Sequence, residues 1–230
     1  MHTDYDTMWA ELDDMKKYGP SSRHTRRLIR QAARRLLFST VVDVGCGDGT
    51  LLLEMRKWFP GLRKLYGLDL SEEAVRRAGQ VSGAEVFQCD ISRHAPAIRA
   101  DLAICSEVLE HIDDDVAALR HIARIAPQAI FTVPCGPITE DQKRAGHLRH
   151  YTAPQLAEKC GVAGLQPTAW THWGFPFFDL YKRAVANRAW GYQTGRYSWS
   201  KKLACHGLYY LFMLNWPGHG ERLIMTAKSS

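Results

Sequence analysis

The chain has 230 residues, of which 46% are hydrophobic, so it is long enough to bury the core of one α/β domain. Its formal net charge is +6. Its six cysteines are widely spaced without a Cys-x-x-Cys pair, which argues against a zinc ribbon and a disulfide-stapled secreted domain. The acidic N-terminus has no apolar signal region, and no stretch approaches the ~18 apolar residues of a membrane span, so a cytoplasmic location is predicted.

Basic residues concentrate near the start of the chain. Arginines recur through residues 23–35, and apolar residues that include Leu28, Ile29 and Leu36 occupy the other side of the predicted helix. This pattern is typical of a solvated helix face above a sheet, and it also fits an electrostatic surface for an acidic substrate, a membrane or nucleic acid. Residues 1–38 are therefore predicted to form an N-terminal helical segment.

A strand and a glycine-rich turn follow. Residues 41–44 are mostly valine, which suits a buried strand, and Gly45, Gly47 and Gly49 come directly before a predicted helix. The G-x-G-x-G spacing differs from the G-x-G-x-x-G dinucleotide pattern, and no Lys-Ser or Lys-Thr completes a phosphate loop. Carboxylates at Asp43 and Asp48 would repel a pyrophosphate but attract the ammonium of an amino-acid group.

Residues 41–52, VVDVGCGDGTLL, resemble motif I of the class I S-adenosylmethionine-dependent methyltransferases. The resemblance implies a single domain over residues 1–230 with a Rossmann-like α/β fold. Its doubly wound sheet would have seven mostly parallel strands, an antiparallel last strand and helices on both faces. It also implies a donor site in which Asp43 lies near the methionine ammonium and the turn approaches the donor closely, through Gly45, Cys46, Gly47 and Gly49.

The next two predicted strands each end in an acid. Residues 65–70 lead into Asp69 and Leu70, and a carboxylate at this place can accept hydrogen bonds from both hydroxyls of a ribose. Residues 85–91 lead into Asp90 and Ile91. The family resemblance implies that Asp90 binds the adenine amino group and that the Ile91 amide faces a ring nitrogen.

Residues 101–112 are predicted to contain the fourth strand and the reacting end of the site. The resemblance places Ser106 and Glu107 near the methyl group of the donor. Glu107, Glu110 and His111 form an E-x-x-E-H cluster, and a helix that began here would put all three side chains on one face.

Two roles for this cluster stay open. It resembles the metal sites of ubiquinone-pathway O-methyltransferases and small-RNA 3′-terminal ribose methyltransferases, which need another histidine that His147 or His150 could supply. Oxygen ligands would favour magnesium or manganese and nitrogen ligands zinc, with Glu107, Glu110, His111 and His147 as the predicted set. Alternatively, His111 acts as a general base without a metal, with Glu107, His147 and His150 as further catalytic residues.

The remainder of the chain continues the alternation of strands and helices. A fifth strand is predicted at 129–133, a loop or lid at 135–149, a helix from Thr152, a sixth strand at 168–173 and a seventh at 221–228. Residues 174–220 form an aromatic-rich helical insertion before the last strand. Its aromatic residues could extend the core, roof a pocket for an apolar or aromatic acceptor, or rest on a membrane surface.

These features predict a biosynthetic enzyme that transfers a methyl group from S-adenosylmethionine to a small molecule. The predicted target is a hydroxyl of a natural product, a sugar or a lipid precursor. Two alternatives from other classes are a metal-dependent RNA ribose 2′-O-methyltransferase and a non-catalytic protein that binds the same donor. No RNA-binding module accompanies the basic residues, so a nucleic-acid partner is not expected.

Overall fold

The computed structural model describes residues 13–186 and 195–229. Within them the chain forms one seven-stranded sheet in the order β3-β2-β1-β4-β5-β7-β6. The strands are β1 (Thr40–Val44), β2 (Lys64–Asp69), β3 (Glu85–Gln88), β4 (Leu102–Ser106), β5 (Gln128–Pro134), β6 (Leu165–Trp173) and β7 (Arg222–Ser229). Strands β1 to β5 run parallel, whereas β7 lies antiparallel between β5 and β6. The predicted fold class is thereby confirmed.

Helices cover both faces of this sheet. They are α1 (Asp13–Tyr18), α2 (Pro20–Ala33), α3 (Thr50–Trp58), α4 (Glu72–Ser82), α5 (Asp115–Ile125), α6 (Glu140–Arg144), α7 (Ala153–Val162), α8 (Phe177–Ala186) and α9 (Trp199–Phe212). Residues of α5 and α7 pack in one apolar cluster, and residues of α2, α3 and α9 pack in another. Among the described residues, no helix combines the length and apolarity that crossing a bilayer requires.

Local sequence signals explain several helix starts. The Ser71 hydroxyl accepts the Ala74 N–H at 3.1 Å and caps α4, which has acids in its first turn. At α7 the Thr152 and Gln155 side chains form a reciprocal capping box. These caps fix where each helix begins after the loop that precedes it, and they therefore help to position the loops that carry the site.

The segment after β4 does not begin a helix at Glu107, so the condition for a shared helix face is not met. Glu107 has a left-handed backbone with φ of 57°, and its N–H donates to the Thr132 carbonyl at 2.9 Å. Only one 3-10 turn, Leu109–His111, follows, and α5 begins at Asp115. Glu107 and Glu110 therefore do not share a helix face.

The insertion between β6 and β7 divides into an inner and an outer part. Phe178 of α8 and Phe212 of α9 are buried against Trp173, so these aromatics extend the core. Trp199 and Tyr210 of α9 are instead exposed to solvent. Residues 187–194 of the insertion and 1–12 of the N-terminal segment lie outside the described residues.

Candidate active site

A cavity of about 640 Å³ lies at the carboxyl ends of the central strands. The glycine turn, the segment after β4, helices α1 and α2, the histidine loop and the insertion all contribute to its wall. The lining includes Lys16, Thr25, Asp43, Gly45, Cys46, Asp48, Ser106, Glu107, Glu110, His111, His147, Phe178, Tyr181, Lys182, Tyr197, Cys205 and Arg222. One space thus joins the predicted donor turn to the E-x-x-E-H cluster.

The turn after β1 needs glycine for two physical reasons. Gly45 and Gly49 have φ of 74° and 77°, a conformation that L side chains rarely adopt. A Cβ on Gly45 would overlap Cγ2 of Val108, and one on Gly49 would lie 2.8 Å from Cα of Ala78. Gly47 also has a positive φ, and its N–H donates to the Asp69 carboxylate at 2.9 Å. The turn therefore exposes main chain to the cavity and is tied to the end of β2.

Asp43 is the buried acid at this turn. Burial raises the pKa of its carboxyl to about 8, the nearby Lys16 ammonium lowers it, and Asp69 and Asp48 raise it further. An acid in this state gains its negative charge readily when a cation is placed beside it. The position suits a ligand that carries an ammonium group.

The residues predicted to bind ribose and adenine lie beside the cavity rather than in its lining. Asp69 is buried and accepts the N–H groups of Gly47 and Ser71, at 2.9 and 3.0 Å. Leu70 is exposed. Asp90 accepts the Ser92 N–H at 3.0 Å, and the Ile91 carbonyl contacts His121 Nδ1 at 2.7 Å. Asp69 ends β2 and Asp90 follows β3, so both acids remain predicted donor contacts along the same sheet edge.

Glu110 has an unusual environment. It is fully buried, and neither carboxylate oxygen has a hydrogen-bond partner among the described residues. Burial and the charge of Glu107 raise the pKa of its carboxyl well above the usual value. An unpaired buried acid costs stability, which indicates a binding role that offsets this cost.

Two histidines complete a compact group with Glu110. One ligand atom each from Glu110, His111 and His147 lies within 4.8 Å of the others. We call these three residues the Glu-His-His group. His147 is thus the downstream histidine that meets the cluster, whereas His150 lies behind it.

Hydrogen bonds indicate which imidazole nitrogens face the group. His111 Nδ1 contacts the Gly146 carbonyl at 3.2 Å, and His150 Nδ1 contacts the Gly136 carbonyl at 2.9 Å. Because a carbonyl only accepts, both Nδ1 atoms carry hydrogen. His150 Nε2 then accepts from His147 Nδ1 at 3.0 Å. The Nε2 atoms of His111 and His147 are therefore left with free lone pairs.

Burial keeps these imidazoles neutral. It lowers the pKa of His111. Burial, together with the repulsion that a protonated His111 or His150 would exert, lowers the pKa of His147 to about 3. A carboxylate and two neutral imidazoles form a donor set that suits a divalent ion, with zinc favoured by nitrogen ligands. The orphaned oxygens of Glu110 fit the same interpretation.

Glu107, predicted for several roles, makes different contacts. Its carboxylate accepts Arg222 Nη2 at 3.0 Å and the Thr132 hydroxyl at 3.1 Å. The Ser106 hydroxyl also contacts Thr132, at 2.8 Å. The structure places Glu107 in the cavity wall but outside the Glu-His-His group. Sequence reasoning missed Arg222, because nothing in the sequence links the first residue of β7 to a turn after β4.

Comparison with known proteins places the chain in a family. A family model described as "Methyltransferase domain" matches residues 21–178. The chain is 34% identical over 102 residues to the ubiquinone biosynthesis O-methyltransferase of Ralstonia nicotianae, in a match that covers 41% of this chain and 42% of that protein. It is 29% identical over 111 residues to the small RNA 2′-O-methyltransferase of Arabidopsis thaliana, covering 43% and 12%. The matches thus span less than half the length of these relatives.

A solved structure shares the fold. The N-methyltransferase NodS from Bradyrhizobium japonicum, in complex with S-adenosyl-L-homocysteine, superposes with a TM-score of 0.58 at 16% identity, covering 95% of this chain and 90% of that one. This likeness concerns the fold alone. The family match, in contrast, extends from α2 through the glycine turn and the Glu-His-His group to α8. The chain therefore belongs to the class I S-adenosylmethionine-dependent methyltransferases.

Proposed function

We propose that this methyltransferase acts on a hydroxyl of a small molecule, with the acceptor oxygen beside the Glu-His-His group. The observation that carries the proposal is the pairing of an unpartnered buried Glu110 carboxylate with two imidazole lone pairs in the wall of the cavity that reaches the glycine turn. The ubiquinone-pathway relative, named as an O-methyltransferase, supports the same chemistry.

The donor is proposed to lie along the ends of β1, β2 and β3. Asp43 would pair with its ammonium, Asp69 would accept from its ribose hydroxyls, and Asp90 would bind its adenine. Gly45 and Gly47 would let its methionine portion approach the main chain. The sulfonium methyl would then point toward Ser106 and the Glu-His-His group.

The transfer itself needs little covalent help from the protein. The acceptor oxygen forms a bond to the methyl carbon as the carbon–sulfur bond breaks, and the electron pair of that bond stays on the now neutral sulfur. The hydroxyl proton is released to solvent water when the hydroxyl ionises, before the acceptor attacks. The main tasks of the protein are alignment of the three reacting atoms and exclusion of water.

The lowered pKa values of both histidines favour one of the two roles left open by the sequence. Burial lowers the pKa of His111, the predicted general base, and the pKa of His147 is lowered to about 3, so each has less driving force to take a proton from an alcohol or phenol. The same neutral lone pairs are well suited to metal ligands. We therefore propose that Glu110, His111 and His147 hold a divalent ion, which when bound would lower the pKa of a hydroxyl placed beside it.

The cavity supports an acceptor of limited size. Phe178, Tyr181 and Tyr197 of the insertion contribute aromatic walls. The cavity of about 640 Å³ also includes the glycine turn, so the donor would fill part of it and leave room for one small acceptor. These walls favour an apolar or aromatic acceptor, and the RNA alternative is not proposed.

The test is methyl transfer from labelled S-adenosylmethionine to a panel of phenols, alcohols and matched amines, read by mass spectrometry. We expect products from hydroxyl compounds, loss of turnover after chelation, and recovery when a divalent ion is restored. The His111→Gln variant is expected to lose about 100-fold or more of the rate. Methylation of amines only, unaffected by chelation, would overturn the proposal.

Donor binding is expected to depend on pH through Asp43. Its pKa of about 8 leaves the carboxyl mostly protonated at pH 6, whereas the ammonium of the ligand favours the carboxylate, so binding releases a proton. The affinity for S-adenosylhomocysteine should therefore rise from pH 6 to 8, by up to about tenfold per pH unit. Calorimetry at several pH values measures this slope.

The matched control is Asp43→Asn, which keeps the size of the side chain but cannot ionise. It should bind more weakly and with a flatter pH profile. An unchanged slope in this variant would assign the pH dependence to another group.

A further inference from the structure

The outer face of α9 is an apolar surface without a cover among the described residues. Trp199, Leu203 and Tyr210 are each more than half exposed, and they recur at helical spacing on one side. Leu214 continues this side just past the end of the helix. Exposed Phe175 and Trp216 pack edge to face at 5.3 Å close to the same end. A contiguous surface of this kind is typical of an interaction site.

The inner face of the same helix belongs to the protein interior. Cys205 and Phe212 are buried, Phe212 packs against Trp173 and Phe178, and Cys205 lines the cavity. The helix is therefore apolar on both sides, although residues 13–186 and 195–229 bury only one of them. Core packing explains the inner side and leaves the outer one unexplained.

The charges beside α9 are mostly positive. Residues 195–214 contain Arg196, Lys201 and Lys202 and no aspartate or glutamate, whereas Lys182 and Arg183 of α8 pair with Glu221. Arg23 lies over the Tyr209 ring at 3.8 Å, and Lys201 lies over the Tyr197 ring at 3.7 Å, so cations flank the helix. Lys202 is partly neutralised by Asp14, at 3.7 Å. Exposed aromatic and apolar residues beside cations match an anionic lipid surface.

We propose that the outer face of α9, comprising Trp199, Leu203, Tyr210 and Leu214, docks on an anionic membrane surface. A 14-residue helix is about 21 Å long, shorter than the ~30 Å hydrocarbon core, so it lies in the plane of the interface. Tryptophan and tyrosine suit this depth because their rings have both apolar and polar parts.

Docking has a consequence for the acceptor. Because α9 also forms part of the cavity wall, the cavity would lie within about one helix diameter, ~10 Å, of the lipid. The enzyme would then take acceptors that partition into the membrane. This consequence rests on the proposed function, whereas lipid binding itself does not.

The test is co-sedimentation of the full chain with vesicles of phosphatidylcholine alone and of phosphatidylcholine mixed with phosphatidylglycerol. We expect binding to the anionic vesicles that weakens with salt. The combined variant Trp199→Ser, Leu203→Ser, Tyr210→Ser should lower the affinity about tenfold or more. Trp170→Ser is the matched control, since Trp170 is also more than half exposed but lies on β6, and it should leave binding unchanged.

Charge is tested separately. Arg23→Gln combined with Lys201→Gln should weaken binding to anionic vesicles about tenfold or more. Arg34→Gln with Arg35→Gln removes the same charge from exposed positions just after α2 and should have little effect. The triple serine variant should still bind S-adenosylhomocysteine. Loss of that binding would show that the substitutions disturb the fold or the donor site, and not only the outer face of α9.

Three results would overturn the proposal. One is no binding of the unaltered chain to anionic vesicles, and another is an equal loss in the variants and their controls. The third is a dimer in light scattering that the triple serine change dissociates, which would make a second copy of the chain the occupant of this face.

Discussion

Replacement of Glu110 by methionine is expected to make the protein more stable and far less active. Methionine has a similar length but carries no charge, so it removes the cost of burying an unpartnered carboxyl. The free energy of unfolding should rise by about 1–3 kcal/mol at pH 7. Methyl transfer should fall about 100-fold or more if the carboxylate serves the reacting end. Urea denaturation and a rate assay on one preparation measure both effects.

The pH dependence of the unfolding free energy tests independently whether Glu110 destabilises the folded protein. Burial raises the pKa of Glu110 in the folded state above its unfolded value, so between those two values the unfolded chain loses a proton that the folded chain retains. Stability should therefore fall as pH rises past about 4.5. The variant lacks this group, and its advantage over the unaltered protein should grow from pH 5 to 7.

Glu54→Met is the matched control, because Glu54 is also shielded from solvent in part but has a partner. Its carboxylate binds Arg26 at 2.9 Å, and the Arg26 side chain is largely buried. This variant should lose stability, since it leaves a buried cation without its partner. Parallel losses of stability and activity in Glu110→Met would instead assign Glu110 a structural role.

Replacement of Gly45 by alanine is expected to weaken binding of the methyl donor strongly. The new Cβ would overlap the Val108 side chain and would force an alanine into a φ of 74°. Relief of that contact must move either the turn or the segment that leads to the Glu-His-His group. We expect a stability loss of about 1–3 kcal/mol and a decrease in S-adenosylhomocysteine affinity of about 100-fold.

Gly161→Ala tests whether the effect is local. Gly161 lies in α7, and no atom from outside that helix lies within 4 Å of the place where a Cβ would stand. Alanine should therefore be tolerated there and should stabilise the helix by about 0.5–1 kcal/mol. Calorimetry of both variants compares them directly. Normal affinity in Gly45→Ala would show that the donor does not depend on the close approach at this turn.

The sheet could be predicted from the sequence because its signals are local. Each strand end is marked by residues close to it in the sequence: the valines and the glycine turn for β1, an acid at the end of β2 and an acid after β3. The parallel arrangement brings those ends to one edge of the sheet. The prediction that β7 is antiparallel and lies between two other strands came from the family resemblance. It is confirmed by the pairing of Arg222–Ser229 with both β5 and β6.

The reacting end of the site was harder to predict from the sequence, because its geometry depends on contacts between residues that are distant in the chain. The left-handed backbone at Glu107 is fixed by Thr132, and its side chain is drawn away by Arg222. The sequence offered either His147 or His150 as the further histidine and placed His147 in the predicted metal set, together with Glu107. Only the fold of the loop shows that His147 meets His111 and that His150 orients it.

The most direct test of metal binding by the Glu-His-His group is a calorimetric titration of manganese and zinc ions into the chelator-treated chain. We expect one site per chain, bound by Glu110, His111 and His147, that disappears in Glu110→Met while S-adenosylhomocysteine still binds. No heat with either ion, or equal binding by the Glu110→Met variant, would contradict this expectation.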